Sequence, residues 1–438
     1  MSGMKADRVS YTEEFIYNSR GTRLFTCRWI PLRQDVKGLV FLCHGYGMEC
    51  SRFMKGTGQR LSRAGYAVFG IDYEGHGRSE GRRCYIRSFD YLVDDCIVFF
   101  KNVRGENLHG IVISSSTLLD PIEWPEYRRK PCFLYGESMG GAVALLVQKK
   151  TPGEWNGAIL VAPMCKISKN MKPHPLLIRV LVKLARTIPT WKVVPIKDVI
   201  GQAFKDPVKR EEIRDNPYVY QGRPRLRTAV EMLYTSLNLE CQLHEVKLPF
   251  LVLHGENDVV TDPAISQELY DSAGSLDKAI KIYPGMWHGL TSGEPDENID
   301  MVFEDIVTWL DMRCPPGSLA ASPIRFSDIQ TRRAMLACSS PLRLEDAHTR
   351  QPGMVGSLRH RHLTGQTSEA SSVPASPMRL FEFRKRDLAS SPSVPASPMR
   401  DSERKCLRWM DHKGGDSCAR GAARHDHASH RLPAVMIR

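Results

Sequence analysis

Six short apolar runs constrain this chain most: GLVFLCHG, YAVFGIDYEGHG, PCFLYGES, GAILVAP, PFLVLHGEND and KAIKIYPG. Each is rich in strand-forming residues and stops at a glycine, a proline or a polar residue. Amphipathic helical patterns such as TGQRLSRAG and DYLVDDCIVFFKNV lie between most of them. Strands this apolar have no face to give to water, so they predict a mostly parallel sheet covered on both sides by helices. Ahead of them, EEFIYN and LFTCRWI flank an SRG turn and predict a starting hairpin. In such sheets chemistry gathers in the loops that follow the carboxyl ends of the strands.

The pattern stops at Cys314, where Pro315, Pro316 and Gly317 follow. Beyond it the chain is rich in Ser, Pro and Arg and repeats SVPASPMR at 372–379 and 393–400. Low hydrophobicity with clustered charge buries too little apolar area to offset ordering entropy. The expectation is a folded domain over 10–313 and a disordered tail over 314–438. From residue 315 onward the chain holds 20 Lys and Arg against 11 Asp and Glu, so the first 314 residues keep only +3 of the net +12. A basic surplus confined to one end argues against nucleic acid as a partner of the folded part. The first residues lack the basic start and apolar core of a secretion signal, and no apolar run is long enough to span a bilayer. The 12 cysteines are scattered without a CxxC pair, which predicts reduced thiols in a cytosolic protein.

The stretch FLYGESMGGAVALLVQKK reads as strand, tight turn and helix. Its turn is G-x-S-x-G: Gly136, Glu137, Ser138, Met139, Gly140. Small residues are needed where a strand and the helix after it pass close together, because a Cβ there would clash. The serine then projects above the sheet at a helix N-terminus, where backbone N–H groups favour developing negative charge.

A serine hydroxyl needs a base, and this architecture orders the groups Ser, then acid, then His. His288 alone follows a late strand in a loop, GMWHGLTSG, before a final helix. His174 sits between prolines, His244 falls in a helical pattern, and His254 ends an apolar run, as a structural imidazole would. For the acid, Glu256, Asp258 and Asp262 follow the run LVLHG. Asp262 precedes Pro263 and a helical pattern and suits an N-cap. Asp258 lies in the turn just past the strand and can reach His288 Nδ1, leaving Nε2 free for Ser138. The oxyanion donors expected are the backbone N–H groups of Met139 and of Tyr46 in FLCHGYG. His44 in that loop is read as a turn-shaping residue.

With these residues in place, the chain resembles the α/β-hydrolase superfamily, and more narrowly the plant monoacylglycerol lipase-like group that includes caffeoylshikimate esterase. The matching stretches are FLCHGYG, GYAVFGIDYEGHGRSEG, FLYGESMGGAVALL, APMCKIS, FLVLHGENDVVTDP and YPGMWHGLTSGEPDEN, within residues 10–313. The resemblance implies an α/β-hydrolase fold, a Ser138–Asp258–His288 triad, Tyr46 and Met139 as oxyanion donors, and ester hydrolysis without cofactor or metal. It implies a small-molecule or lipid ester as substrate. The segment from Gly105 to Lys130 is longer than the family's usual connection.

About 85 residues without strand signals, roughly 165–248, separate GAILVAPM from PFLVLHGEND. That is too long for a simple connection and predicts an inserted, mostly helical cap. Its first helix, HPLLIRVLVKLARTI, carries Arg179, Lys183 and Arg186 as one stripe. The favoured reading packs its apolar face on the core and solvates the basic stripe. The other lays the helix on a membrane surface as a peripheral contact. The functional expectation is a serine esterase acting through an acyl-enzyme, monoacylglycerol lipase-like, with hydroxycinnamoyl esters and lysophospholipids as alternative substrates. A ligand receptor that keeps the fold with little turnover is the reading from a different class.

Overall fold

The structure is a computed structural model and describes residues 9–106, 112–113, 125–166, 174–192 and 198–314. The tail expected over 314–438 lies outside the described residues except for Cys314, as does most of the long segment between Gly105 and Lys130.

The hairpin comes first. Strands β1 (Val9–Tyr17) and β2 (Arg23–Pro31) pair antiparallel over their whole length, Val9 opposite Pro31 and Tyr17 opposite Arg23. The apolar runs then form β3 (Gly38–Cys43), β4 (Tyr66–Ile71), β6 (Cys132–Glu137), β7 (Gly157–Val161), β8 (Phe250–Gly255) and β9 (Lys278–Tyr283). A two-residue strand, β5 (Val112–Ile113), adds to the outer edge of β1. Among the described residues nine strands are ordered β5-β1-β2-β4-β3-β6-β7-β8-β9, parallel from β4 to β9 and antiparallel at the β1 end.

Every residue of β3, β4, β6, β7 and β8 is buried, as runs without polar alternation require. The pleat sends their side chains to two separate cores. Leu39, Phe41, Phe250 and Val252 face α2 (Phe89–Val103), α3 (Met139–Lys150) and α8 (Pro263–Ser272). Val40, Leu42, Leu251 and Leu253 face α1 (Lys55–Arg63) and α9 (Asp296–Asp311).

Chain order runs outward from the middle of this sheet: β3 leads to β4 on one side, while β6 to β9 succeed one another on the other. The loops after β3 and β6 therefore diverge, which leaves a crevice at the carboxyl end of the sheet between them. Over it lie, among the described residues between β7 and β8, the helices α4 (Pro175–Thr187), α5 (Val199–Ala203), α6 (Pro207–Arg214) and α7 (Leu226–Glu240). Helix α7 packs on α4 through Leu226, Val230, Leu233 and Leu237. It also grips the body below, with Thr228 Oγ1 and Glu231 Oε2 accepting the N–H groups of Ile86 and Phe89. Helix α4 meets the favoured expectation in part, since one apolar face packs and Arg179, Lys183 and Arg186 are exposed. Ile178, Val182 and Ala185 pack inward, yet Leu176, Leu177, Val180 and Leu184 stand 41–62% exposed on the opposite face. The helix has two apolar faces, and packing uses one. Among the described residues no helix is long and apolar enough to cross a membrane.

Candidate active site

Ser138 occupies the N-cap position of α3 with φ 53° and ψ −119°, a backbone that a non-glycine residue rarely adopts. Close passage of strand and helix forces it. A Cβ on Gly140 would stand 1.9 Å from the Cys43 carbonyl oxygen, and one on Gly136 would stand 2.4 Å from the Gly140 oxygen. The turn is locked by the Ser138 N–H donating to Val161 O at 3.0 Å and by Gly141 and Met164 donating to Ser138 O. Met139, one residue on, is buried in the first turn of the helix. Across the crevice, Gly45 lies beside the serine, so that a Cβ there would come within 3.5 Å of Ser138 Cβ. Tyr46 follows it, its hydroxyl donating to Cys84 O at 3.3 Å. The loop is tied upward as well: Tyr220 N–H donates to Gly47 O, and Asn216 Nδ2 donates to the buried Glu49 carboxylate, both from the segment before α7.

Asp258 sits in the turn after β8, its side chain fully buried. Its Oδ1 accepts the N–H groups of Val260 and Thr261 at 2.7 and 3.0 Å. Its Oδ2 faces His288 Nδ1 at 2.6 Å, Thr261 Oγ1 at 2.9 Å and His254 Nε2 at 3.0 Å. Burial alone would push this carboxyl up. The attraction of a protonated His288, with hydrogen bonds from both imidazoles, more than offsets it and holds Asp258 well below the usual carboxylate range. An imidazole with Nδ1 against a carboxylate keeps its proton there and offers Nε2 as a base.

Ser138 and His288 line one cavity of about 460 Å³, together with Tyr46 and Met139. The rest of its wall is largely apolar, with Met164 and Ile265 from the body and Leu181, Phe204, Val230 and Leu233 from the inserted segment. Glu137 is a polar group beside the serine, and Lys166, Ser236, Thr261, Asp262 and Ser292 also reach the wall. Glu137 accepts the hydroxyls of Tyr135 at 2.6 Å and Thr291 at 2.7 Å, and burial raises its pKa.

The other candidates are held in other roles. His44 is buried, accepts the Tyr73 N–H on Nε2 and donates from Nδ1 to Gly45 O, and burial lowers its pKa to about 4. His174 caps α4, accepting the Leu176 N–H, and His244 is exposed on a short 3₁₀ turn. Asp262 caps α8 ahead of Pro263, and Glu256 accepts the Gly285 N–H. Sequence reasoning does not reach the contacts of His254 and Thr261 with Asp258. The only signal is spacing, since His254 stands four residues before Asp258 in a tight turn. Among the described residues no group of three or more His, Cys, Asp or Glu could hold a metal ion.

A parallel sheet crossed by this strand-turn-helix, with an acid and an imidazole delivered by the two later strand-end loops, defines an α/β hydrolase. The chain belongs to the Hydrolase_4 family, described as serine aminopeptidase, S33, which matches residues 34–296. Caffeoylshikimate esterase of Arabidopsis thaliana is 36% identical over 316 residues, spanning 70% of this chain and 90% of the relative. Monoacylglycerol lipase of Mycolicibacterium smegmatis is 27% identical over 291 residues, spanning 66% and 93%. Among solved structures, a soluble variant of monoglyceride lipase from Saccharomyces cerevisiae, in complex with a substrate analog, shares the fold with a TM-score of 0.57. That match has 21% identity and covers 72% of this chain and 98% of the other.

Proposed function

We propose that this α/β hydrolase cleaves carboxylic esters through an acyl-enzyme, with Ser138 as nucleophile, His288 as base and Asp258 orienting the imidazole. The observation that carries this reading is the 2.6 Å approach of His288 Nδ1 to Asp258 Oδ2 on the cavity that Ser138 lines. His288 takes the serine proton as Oγ attacks the ester carbonyl, then returns it to the leaving alcohol; water repeats the sequence to free the acid. The backbone N–H groups of Met139 and Tyr46 receive the oxyanion. The first lies at a helix N-terminus, where the peptide dipoles favour that charge. Helices α4 to α7 act as a cap whose underside receives the acyl group.

The substrate is an ester with an apolar acyl part and a small polar alcohol, as in a monoacylglycerol, because the wall beyond the serine is apolar and Glu137 lies close to the reacting centre. A hydroxycinnamoyl ester is the second reading, favoured by the 36% identity to a caffeoylshikimate esterase. The exposed apolar face of α4, bordered by Arg179, Lys183 and Arg186, gives the enzyme a peripheral contact with membranes that carry such lipids.

The test is hydrolysis of monoacylglycerol, lysophosphatidylcholine and caffeoylshikimate by the purified enzyme and by Ser138→Ala. The expected outcome is preference for monoacylglycerol and a loss of at least about 10⁴-fold in the variant. Turnover retained by folded Ser138→Ala removes the mechanism. Slow single turnover accompanied by strong ligand stabilisation favours a receptor.

A further inference from the structure

We propose that His254 is a positioning residue for the hydrolytic site, holding the Asp258 carboxylate toward His288 through a neutral N–H donor whose tautomer Ser266 sets. This rests on reading Ser138, His288 and Asp258 as the reacting constellation.

His254 is the penultimate residue of β8 and is fully buried. Its Nε2 lies 3.0 Å from Asp258 Oδ2 and 3.0 Å from the Thr261 carbonyl oxygen. Both partners only accept, so Nε2 carries the ring proton and shares it between them. On the other side of the ring Ser266 Oγ, from α8, lies 2.7 Å from Nδ1 and is itself buried. In the neutral ring proposed here, Nε2 holds the single proton, so Nδ1 accepts and the serine hydroxyl donates. The result is a directed chain from the Ser266 hydroxyl through His254 to Asp258, meeting His288 at the same carboxylate oxygen.

The choice of imidazole has a physical reason. A lysine or arginine at this place would cancel the charge that must stabilise the His288 imidazolium as it forms. A neutral N–H donor orients the carboxylate and leaves that charge in place. Thr261 cannot stand in fully, because its single hydroxyl proton faces both Asp258 Oδ2 at 2.9 Å and Ala162 O at 3.2 Å.

Donation by His254 also withdraws charge from Asp258. Removing it leaves the full carboxylate charge facing His288, and the acid limb of the kcat/KM profile moves to higher pH. Among the described residues, the other carboxyl and amino groups that line the cavity with His288 are Glu137 from the β6 turn, Asp262 and Lys166. Beneath the loop, Glu294 accepts the Trp287 N–H. All four are common to the variants compared, so the difference between profiles isolates His254.

The experiment compares full-length wild type, His254→Phe, His254→Gln and Ser138→Ala on a soluble short-chain p-nitrophenyl ester from about pH 5 to about pH 9. Phe keeps the ring's volume and removes its donor; Gln places an amide N–H near the position of Nε2. The expected result for His254→Phe is a fall in kcat of about tenfold to a hundredfold with KM within about twofold. Its acid limb rises by roughly half a unit, and His254→Gln recovers most of both. The inference is overturned if folded His254→Phe keeps the wild-type kcat and profile. It is equally overturned if Phe and Gln lose activity alike with no movement of the limb, which is the mark of a packing role. Should His254→Phe fail to fold, Ser266→Ala carries the test: an upward limb shift supports the inference and a wild-type profile ends it. Turnover by Ser138→Ala would instead remove the reading of the triad. An inert Ser138→Ala beside an unaltered His254→Phe removes the role of His254 alone.

Discussion

Ser138 at φ 53° stores about 1–3 kcal/mol of backbone strain, which persists only where the surroundings over-determine it. The glycines on either side supply that over-determination, and Gly140 has the least room of all, with backbone rather than a flexible side chain in the way. Gly140→Ala should therefore cost more than about 2 kcal/mol, read as a lowered urea midpoint; a midpoint near wild type would mean that β3 and α3 can move apart. Asp258 sets a second prediction. Its carboxyl is held below its ordinary value of 3.8, so the unfolded chain binds the extra proton and stability rises with pH across that window. The stabilisation is present above about pH 4 and is lost as pH falls through the folded value. Asp258→Asn should lack this slope, so the gap between the wild-type and variant urea midpoints narrows on acidification from about pH 5 to about pH 3. An unchanged gap would show that the interaction does not favour the ionised form. The pairing of Asp258 with His288 is legible in the sequence because chain order and strand-end placement are local signals. The contacts of His254 and Thr261 are not, because they depend on how the turn Glu256–Thr261 folds back over the end of β8, which no periodicity records.

At the scale of elements, the parallel strands are legible because burial on both faces leaves an unbroken apolar run. Helix α4 is legible as a helix, but its surroundings are not. Leu176, Leu177, Val180 and Leu184 fall on one side of the helical wheel, Ile178, Val182 and Ala185 on the other, and the basic residues between. Only the position of α7 decides which apolar side is covered. Replacing Leu177 and Val180 together by Gln should weaken co-sedimentation with anionic vesicles at least about threefold. Hydrolysis of a soluble short-chain ester should be unaffected, since neither residue lines the cavity. Vesicle binding equal to wild type would count against α4 as the contact. Strand β5 escapes sequence reading altogether, since a two-residue strand has no period and exists only because the edge of β1 offers it partners.

For the molecule as a whole, the described members of both cores lie within residues 9–314, and the last described residue, Cys314, packs near Gly38 at the start of β3. A chain shortened to end a few residues beyond Cys314 should keep its melting temperature within about 2 °C and its turnover of a soluble ester. A large fall in either would show that the Ser/Pro/Arg-rich segment contributes contacts to the body. The bonds from Asn216 to Glu49 and from Tyr220 to Gly47 join the helical roof to the loop beside the serine. In the proposed mechanism that loop receives the oxyanion, so a roof tied to it cannot swing far without disturbing the site. Any compound that wedges the helices apart would therefore slow acylation from a distance, leaving the nucleophile uncovered but poorly served.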